Sequence, residues 1–160
     1  MSSTTITGGC LCGKLRYQAK LTMRFRSYAC HCTDCQTRSG SAFGIQLPVL
    51  SSDLTVEGEV LRGEHVQPSG AVAGIFACKV CLTRIYTDND HRPGIVNLRA
   101  GTLDASASLV PAAHLWVASK LAWMVIPDDA IVMDQQPEDQ AGWLAIFKPE
   151  PVGRRSRNEN

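Results

Sequence analysis

Charge of one sign is scarce in this 160-residue chain: 16 lysines and arginines stand against 15 aspartates and glutamates, a formal net charge of +1. Proteins that read nucleic acid carry a strongly basic domain or stripe, so no nucleic-acid partner is expected. Long hydrophobic runs are missing too. Stretches such as 115–117 and 121–126 fall far short of the ~20 residues a membrane helix needs, and no membrane partner is expected. The polar start, Met1-Ser2-Ser3-Thr4-Thr5-Ile6-Thr7, lacks the basic end and apolar core of an export leader. The setting this implies is cytoplasmic and reducing, where disulfides do not persist. Internal repeats of useful length are absent. Helical periodicity is nearly absent, with only a turn or two after Cys35 and a short piece over 138–144.

What the chain does have is enough apolar residue, 44% against 19% charged, to bury a core, and a length suited to one domain. Residues 14–19 and 43–47 alternate polar and apolar as half-buried strands do. Residues 54–56 and 60–61 flank Glu57-Gly58-Glu59, which reads as a hairpin turn. Further strands are expected over 72–77, 84–87, 95–99 and 115–118. The expectation is a mainly β, single domain of short antiparallel strands, a twisted sandwich or complex β fold with little helix, stabilised by the metal that the cysteines below imply. An N-terminal arm takes residues 1–6, the folded domain 7–148, and a tail 149–160, rich in Pro, Gly and Arg, is expected to be disordered.

Seven cysteines fall in three clusters: Cys10 and Cys12 within Gly-Gly-Cys-Leu-Cys-Gly, Cys30, Cys32 and Cys35 within Cys-His-Cys-Thr-Asp-Cys, and Cys78 and Cys81 within Cys-Lys-Val-Cys. An odd count suits disulfides poorly, and clustering suits metal. Two local pairs, each on its own turn, supply four thiolates for one tetrahedral zinc. With Cys10, Cys12, Cys78 and Cys81 so used, the remaining triplet has the three-ligand pattern of a zinc with an exchangeable fourth position. Spacing also admits the alternative in which the triplet joins Cys78 and Cys81 and leaves Cys10 and Cys12 unused. His31, between two cysteines, reads either as a proton-carrying or orienting group beside the metal or as a locally packed histidine.

Laid out this way, the chain resembles the glutathione-dependent formaldehyde-activating enzyme (GFA) family, which includes centromere protein V relatives. The resemblance runs over about residues 7–147. It rests on the three cysteine clusters, on Ser39-Gly40-Ser41, on Arg99-Ala100-Gly101-Thr102-Leu103-Asp104, and on His114-Leu115-Trp116 and Ser119-Lys120-Leu121-Ala122-Trp123. It implies a β fold around zinc similar to that of a small zinc-containing chaperone of Rab-type GTPases. It also implies the first cysteine partition: two zincs per chain, a structural one on Cys10, Cys12, Cys78 and Cys81 and a catalytic one on Cys30, Cys32 and Cys35. The family's reaction joins formaldehyde and glutathione into S-(hydroxymethyl)glutathione, in reverse a carbon–sulfur lyase. One departure stands out. Leu82-Thr83 follow Cys81 where the family commonly has glycine then serine, and leucine does not take a left-handed turn cheaply, so altered local geometry at the structural zinc is expected.

A thiol is mostly unreactive at neutral pH, its pKa lying near ~8.5, and an open zinc site deprotonates a coordinating thiol. The expected chemistry is therefore attack of a glutathione-like thiol on an aldehyde at the Cys30/Cys32/Cys35 zinc, with His31 or a bound water protonating the new alkoxide. Arg38 is the first candidate to hold a carboxylate of glutathione, and the Ser39-Gly40-Ser41 turn a candidate source of backbone amides. Lys120 and Arg99 read as sheet-face charges, Trp116 and Trp123 as core or interface residues. Two rivals are a binding module, for which a near-neutral chain supplies little basic surface beyond Arg154, Arg155 and Arg157, and a zinc-stabilised scaffold or metallochaperone. A homodimer is the ordinary expectation for a small enzyme.

Overall fold

The computed structural model describes residues 4–67, 69–148 and 150–152. It is mainly β, 41% strand and 18% helical. In chain order the strands are β1 (Thr4–Gly9), β2 (Arg16–Leu21), β3 (Met23–Arg24), β4 (Tyr28–Cys30), β5 (Gly44–Leu50), β6 (Leu54–Glu57) and β7 (Val60–Val66). They continue with β8 (Val72–Cys78), β9 (Arg84–Thr87), β10 (Ile95–Arg99), β11 (Ala113–Leu115), β12 (Ile131–Met133) and β13 (Glu150–Pro151). Two helices, α1 (Thr33–Ser39) and α2 (Gln140–Phe147), complete the set with several short 3-10 turns. Among the described residues no helix is long and apolar enough to cross a membrane.

A three-stranded sheet, β1-β2-β6, faces an eight-stranded one ordered β12-β11-β4-β5-β10-β9-β8-β7, and β3 pairs with β13 at the side. Alternation in β2 turns Tyr17, Ala19 and Leu21 inward, against Val49, Ile85, Val96 and Leu98 of the larger sheet. A second core sits beyond β4, where Tyr28, Leu115, Trp143, Ile146 and Phe147 pack under α2. Each large apolar side chain so buried contributes ~1.5–3 kcal/mol.

Four expectations need correction. Glu57-Gly58-Glu59 is no hairpin: β6 pairs with β2 and β7 with β8, so the turn carries the chain from one sheet to the other. Gly58 is required there, since at φ 111° it also lies against the Lys14 carbonyl, where a Cβ would overlap. The sheets are not wholly antiparallel, because β11 runs parallel to both β4 and β12. The strand expected over 115–118 ends at Leu115, because Trp116 turns left-handed at φ 61° and a 3-10 turn follows. Finally, Thr4, Thr5 and Ile6 of the expected arm are strand paired to β2, and Glu150–Pro151 of the expected tail pairs with β3. Residues 153–160, including Arg154, Arg155 and Arg157, lie outside the described residues.

Candidate metal centres and the thiol site

The end of β1 and the end of β8 meet at the first site. Cys10 and Cys12 lie on the turn leaving β1, tied by the Cys10 amide to the Leu15 carbonyl at 2.9 Å and by the Gly13 amide to the Cys10 carbonyl at 3.1 Å. Cys78 ends β8 and Cys81 sits in the turn to β9. The four sulfurs lie within 4.8 Å of one another, with Cys10–Cys12 at 3.5 Å and Cys12–Cys78 at 3.9 Å. A zinc with ~2.3 Å bonds sets tetrahedral sulfurs ~3.8 Å apart, so the residues fit the ion. The Leu15 amide donates to Cys10 Sγ at 3.2 Å. The Thr83 hydroxyl, 3.2 Å from Cys81 Sγ, leads the contacts that hold that thiol down at about 5. Because Cys10 and Cys12 belong to the small sheet and Cys78 and Cys81 to the large one, a metal here would staple the two sheets together.

The left-handed turn that is costly for a leucine forms at Leu82 all the same. Leu82 adopts φ 60°, the conformation glycine would take, and its amide donates to the Cys78 carbonyl at 2.9 Å. Its side chain is 63% exposed, so little packs against the strained turn.

The second site is built on β4 and α1. Cys30 ends β4, Cys32 caps the helix, and Cys35 lies one turn in, its amide donating to Cys32 Sγ at 3.4 Å. Cys30 Sγ and Cys32 Sγ are 3.4 Å apart, and the three sulfurs form one cluster. Among the described residues no fourth histidine, cysteine or carboxylate joins it. Three crowded thiols share charge unequally: thiol contacts from Cys30 and Cys35, then the amides at the helix start, hold Cys32 down at about 2. The same contact with Cys32 pushes Cys30 up, away from ionisation. A cation relieves this conflict by accepting all three sulfurs as thiolates.

The surroundings divide by sheet face. Cys30 pairs with Gly44 and Tyr28 with Gln46, so Gly44 and Gln46 share the face of Cys30. The Gln46 side-chain amide donates to Cys35 Sγ at 3.9 Å. His31 lies on the other side, its ring tilted 50° against Phe43 with ring centres 5.1 Å apart. Its Nε2 is 2.9 Å from His114 Nδ1, and the ring is fully buried. Burial first, then the charges of His114 and Lys120, lowers its proton affinity, which keeps it neutral near pH 7. Its carbonyl accepts from Gln36 Nε2 at 2.7 Å and Ser119 Oγ at 2.9 Å, which ties the cysteine helix to the 117–119 turn.

Of the other expected residues, Arg38 lies in the last turn of α1, half-buried. Ser39, Gly40 and Ser41 are exposed, but the Gly40 amide is committed to the Gln36 carbonyl at 2.9 Å and the Ser41 amide to Ser39 Oγ at 3.2 Å. Neither amide is free for a ligand, which corrects that expectation. Lys120 Nζ donates to the Met124 carbonyl at 2.7 Å. Trp116 is half-buried, whereas Trp123 is 70% exposed and not part of the core. Sequence reasoning missed Gln46, Gln36 and the pairing of His114 with His31. The pattern gave no signal for Gln46, which stands at a polar, outward position of the 43–47 alternation and is nonetheless buried.

The sequence profile described as glutathione-dependent formaldehyde-activating enzyme matches residues 5–119, a span that holds all seven cysteines. The chain belongs to the GFA family. Among curated proteins none matches it. A crystal structure of a Rhodobacter sphaeroides protein aligns with 62% of this GFA chain and 88% of its own length, at 19% identity and a TM-score of 0.48.

Proposed function

We propose that this GFA member is a zinc-dependent carbon–sulfur lyase or synthase, joining a thiol such as glutathione to an aldehyde such as formaldehyde, or cleaving the adduct, at the Cys30/Cys32/Cys35 cluster. The observation that carries this reading is the contrast between the two cysteine sites: four ligands close the first, and the second stops at three. A zinc with a vacant fourth position keeps a substrate thiol deprotonated and nucleophilic.

The residues around the cluster supply the rest. Cys32, as cap of α1, and Cys35, one turn in, are held in place by the backbone of the helix, and Gln36 fixes that helix through the His31 and Ser119 carbonyls. Gln46 lends an N–H to Cys35 Sγ, tempering the charge gathered there. In the forward direction the substrate sulfur forms a bond to the carbonyl carbon while the π pair moves to oxygen, which takes up a proton. Bound water is assigned as the proton source, because His31 is buried, neutral and engaged with His114 on the face opposite Cys30. His31 acts instead through its backbone, as a positioning residue. Arg38 holds a carboxylate of the thiol. We further assign one domain, residues 7–148 extended by the paired strand residues 4–6 and 150–151, and a cytoplasmic setting, in keeping with seven free cysteines.

The test is metal content and turnover together. Wild-type protein should carry two zincs per chain and form S-(hydroxymethyl)glutathione from formaldehyde and glutathione faster than the uncatalysed rate, followed by NMR. Cys32→Ser should carry one zinc and lose that acceleration while its far-UV circular dichroism persists. Acceleration that survives loss of the second zinc would refute the proposal.

A further inference from the structure

Strand β7 (Val60–Val66) ends the large sheet. It pairs with β8 through all seven residues without a bulge, and among the described residues its other edge has no partner. Edge strands are ordinarily blunted by proline, lysine, a bulge or short length, because a free row of N–H and C=O groups invites a further strand. Val60-Leu61-Arg62-Gly63-Glu64-His65-Val66 has none of these protections, whereas β12, at the opposite end of the sheet, is three residues long. Apart from His65, every residue of β7 is exposed, Val66 at 65%.

The ladder fixes which backbone groups are free. The Lys79 amide donates to the Glu59 carbonyl at 3.1 Å and the Gln67 amide to the Ala71 carbonyl at 2.8 Å, and both pairs continue the β7–β8 register. Hydrogen-bonded pairs alternate along an antiparallel ladder. Leu61, Gly63 and His65 therefore spend their N–H and C=O groups on β8, and Val60, Arg62, Glu64 and Val66 turn theirs outward. A second copy of β7 running antiparallel must oppose these outward residues to one another. The register centred on Gly63 sets Arg62 opposite Glu64 of the partner subunit and Val60 opposite Val66 of the partner subunit. A slip of two residues either way opposes arginine to arginine or glutamate to glutamate, which is destabilising.

Gly63 points the same way. Its φ is not left-handed, and a Cβ added to it would meet nothing within 4 Å. The fold of one chain thus gives no reason for a residue that weakens a strand interior. At the centre of a two-fold pair it faces its own copy in a non-hydrogen-bonded pair, where Cα atoms come within ~4.5 Å, the closest approach in the ladder.

We propose that β7 is the interface of an isologous dimer, pairing antiparallel with β7 of a second copy about Gly63 to join the two large sheets into one. Arg62 and Glu64, 2.7 Å apart along the strand, then complete an alternating ring of charges with their counterparts. On the other face Leu61 of the partner subunit stands opposite His65, whose Nε2 lies 2.9 Å from Asp34 Oδ2 on the helix of Cys35, so the interface borders the three-cysteine site. Seven residues are far fewer than the ~20–30 a side of a standard interface. The dimer is therefore weak, with a Kd of roughly micromolar order.

Sedimentation equilibrium of the zinc-loaded full chain from ~1 to ~500 μM tests this on wild type, Arg62→Glu, Glu64→Arg, an equimolar mixture of those two, and the double variant. Wild type should dimerise as concentration rises. Arg62→Glu opposes glutamate to glutamate and Glu64→Arg opposes arginine to arginine, so each alone should weaken the dimer about 10- to 100-fold. The mixture should form a heterodimer, because every anion again faces a cation, and the double variant should recover the homodimer to within about 5-fold of wild type. Recovery on mixing also shows that the single variants are folded. Wild type that stays monomeric throughout would overturn the proposal. So would single variants that dimerise as wild type does, or that stay monomeric when mixed.

Discussion

Replacing Leu82 by glycine should make this protein more stable, and the size of the gain follows from one backbone angle. Leu82 sits at φ 60° in the turn after Cys81. A left-handed conformation costs a residue with a Cβ ~1–2 kcal/mol. Glycine removes that cost but loses ~0.5–1 kcal/mol of its own, because its unfolded chain is freer. Little packing is forfeited, the leucine side chain being 63% exposed. The amide that donates to the Cys78 carbonyl remains in either variant. The net expectation for Leu82→Gly is a stabilisation of ~0.5–1 kcal/mol, or roughly 1–4 °C in Tm for a chain of this size. Leu82→Ala is the control that separates strain from side-chain loss: it keeps the Cβ, so it should change stability by less than ~0.5 kcal/mol. Differential scanning calorimetry of the zinc-loaded proteins reads both. Equal Tm for the glycine and alanine variants, or a lower one for glycine, would refute the argument that this turn is strained.

The two cysteine sites should respond differently to the loss of one ligand. Cys78→Ser opens the staple between the sheets at a position 1% exposed, and should cost more than ~3 kcal/mol, at least ~6 °C. Cys32→Ser should move Tm by less than ~2 °C, since serine serves equally well as the cap of α1; calorimetric melting of both variants decides, and equal losses would contradict the division of roles. Tyr28, fully buried, is pushed up to about 12, chiefly by burial. Its folded-state pKa is raised, so its contribution is whole below the unfolded value of ~10 and disappears as pH climbs to 12, a loss of ~2–3 kcal/mol. Urea melts between pH 9 and 12 should show a steeper decline in wild type than in Tyr28→Phe, and parallel declines would count against the burial argument.

Much of this was written in the order of residues. Alternation over 14–19 and 43–47 places strands correctly because a half-buried strand must change face at every step, and the short segments expected over 84–87 and 95–99 are strands too. Clustering of seven cysteines into three groups announces metal, since four thiolates converging on one ion need two tight local pairs. Family membership is legible in the same clusters, and the profile match over 5–119 confirms it. What local pattern could not carry is which strand meets which. Glu57-Gly58-Glu59 has the composition of a hairpin turn whether β6 and β7 pair with each other or with β2 and β8, and only packing of the two sheets chooses. Leu82 was expected to refuse a left-handed turn; tertiary constraint from the cysteine site imposes it at a cost of ~1–2 kcal/mol, which a folded domain can absorb.

The sequence by itself determined the chemistry available to this protein, mainly β structure and three cysteine clusters whose spacing admitted two partitions; the fold gathers them as one group of four and one of three. Only the tertiary structure decided what surrounds them. Gln46 and Arg99 are separated by 53 positions in the chain, and nothing in their spacing sets them together. The pairing of β5 with β10 does so, setting Arg99 opposite the buried Gln46 on the face of Cys30. His31, adjacent to two cysteines in sequence, is carried to the opposite face by the pleat, to pair with His114 on the parallel strand beside it. Neighbours along a strand diverge and strangers across a sheet converge, because the backbone hydrogen bonds of the ladder, not chain distance, fix which side chains share a face.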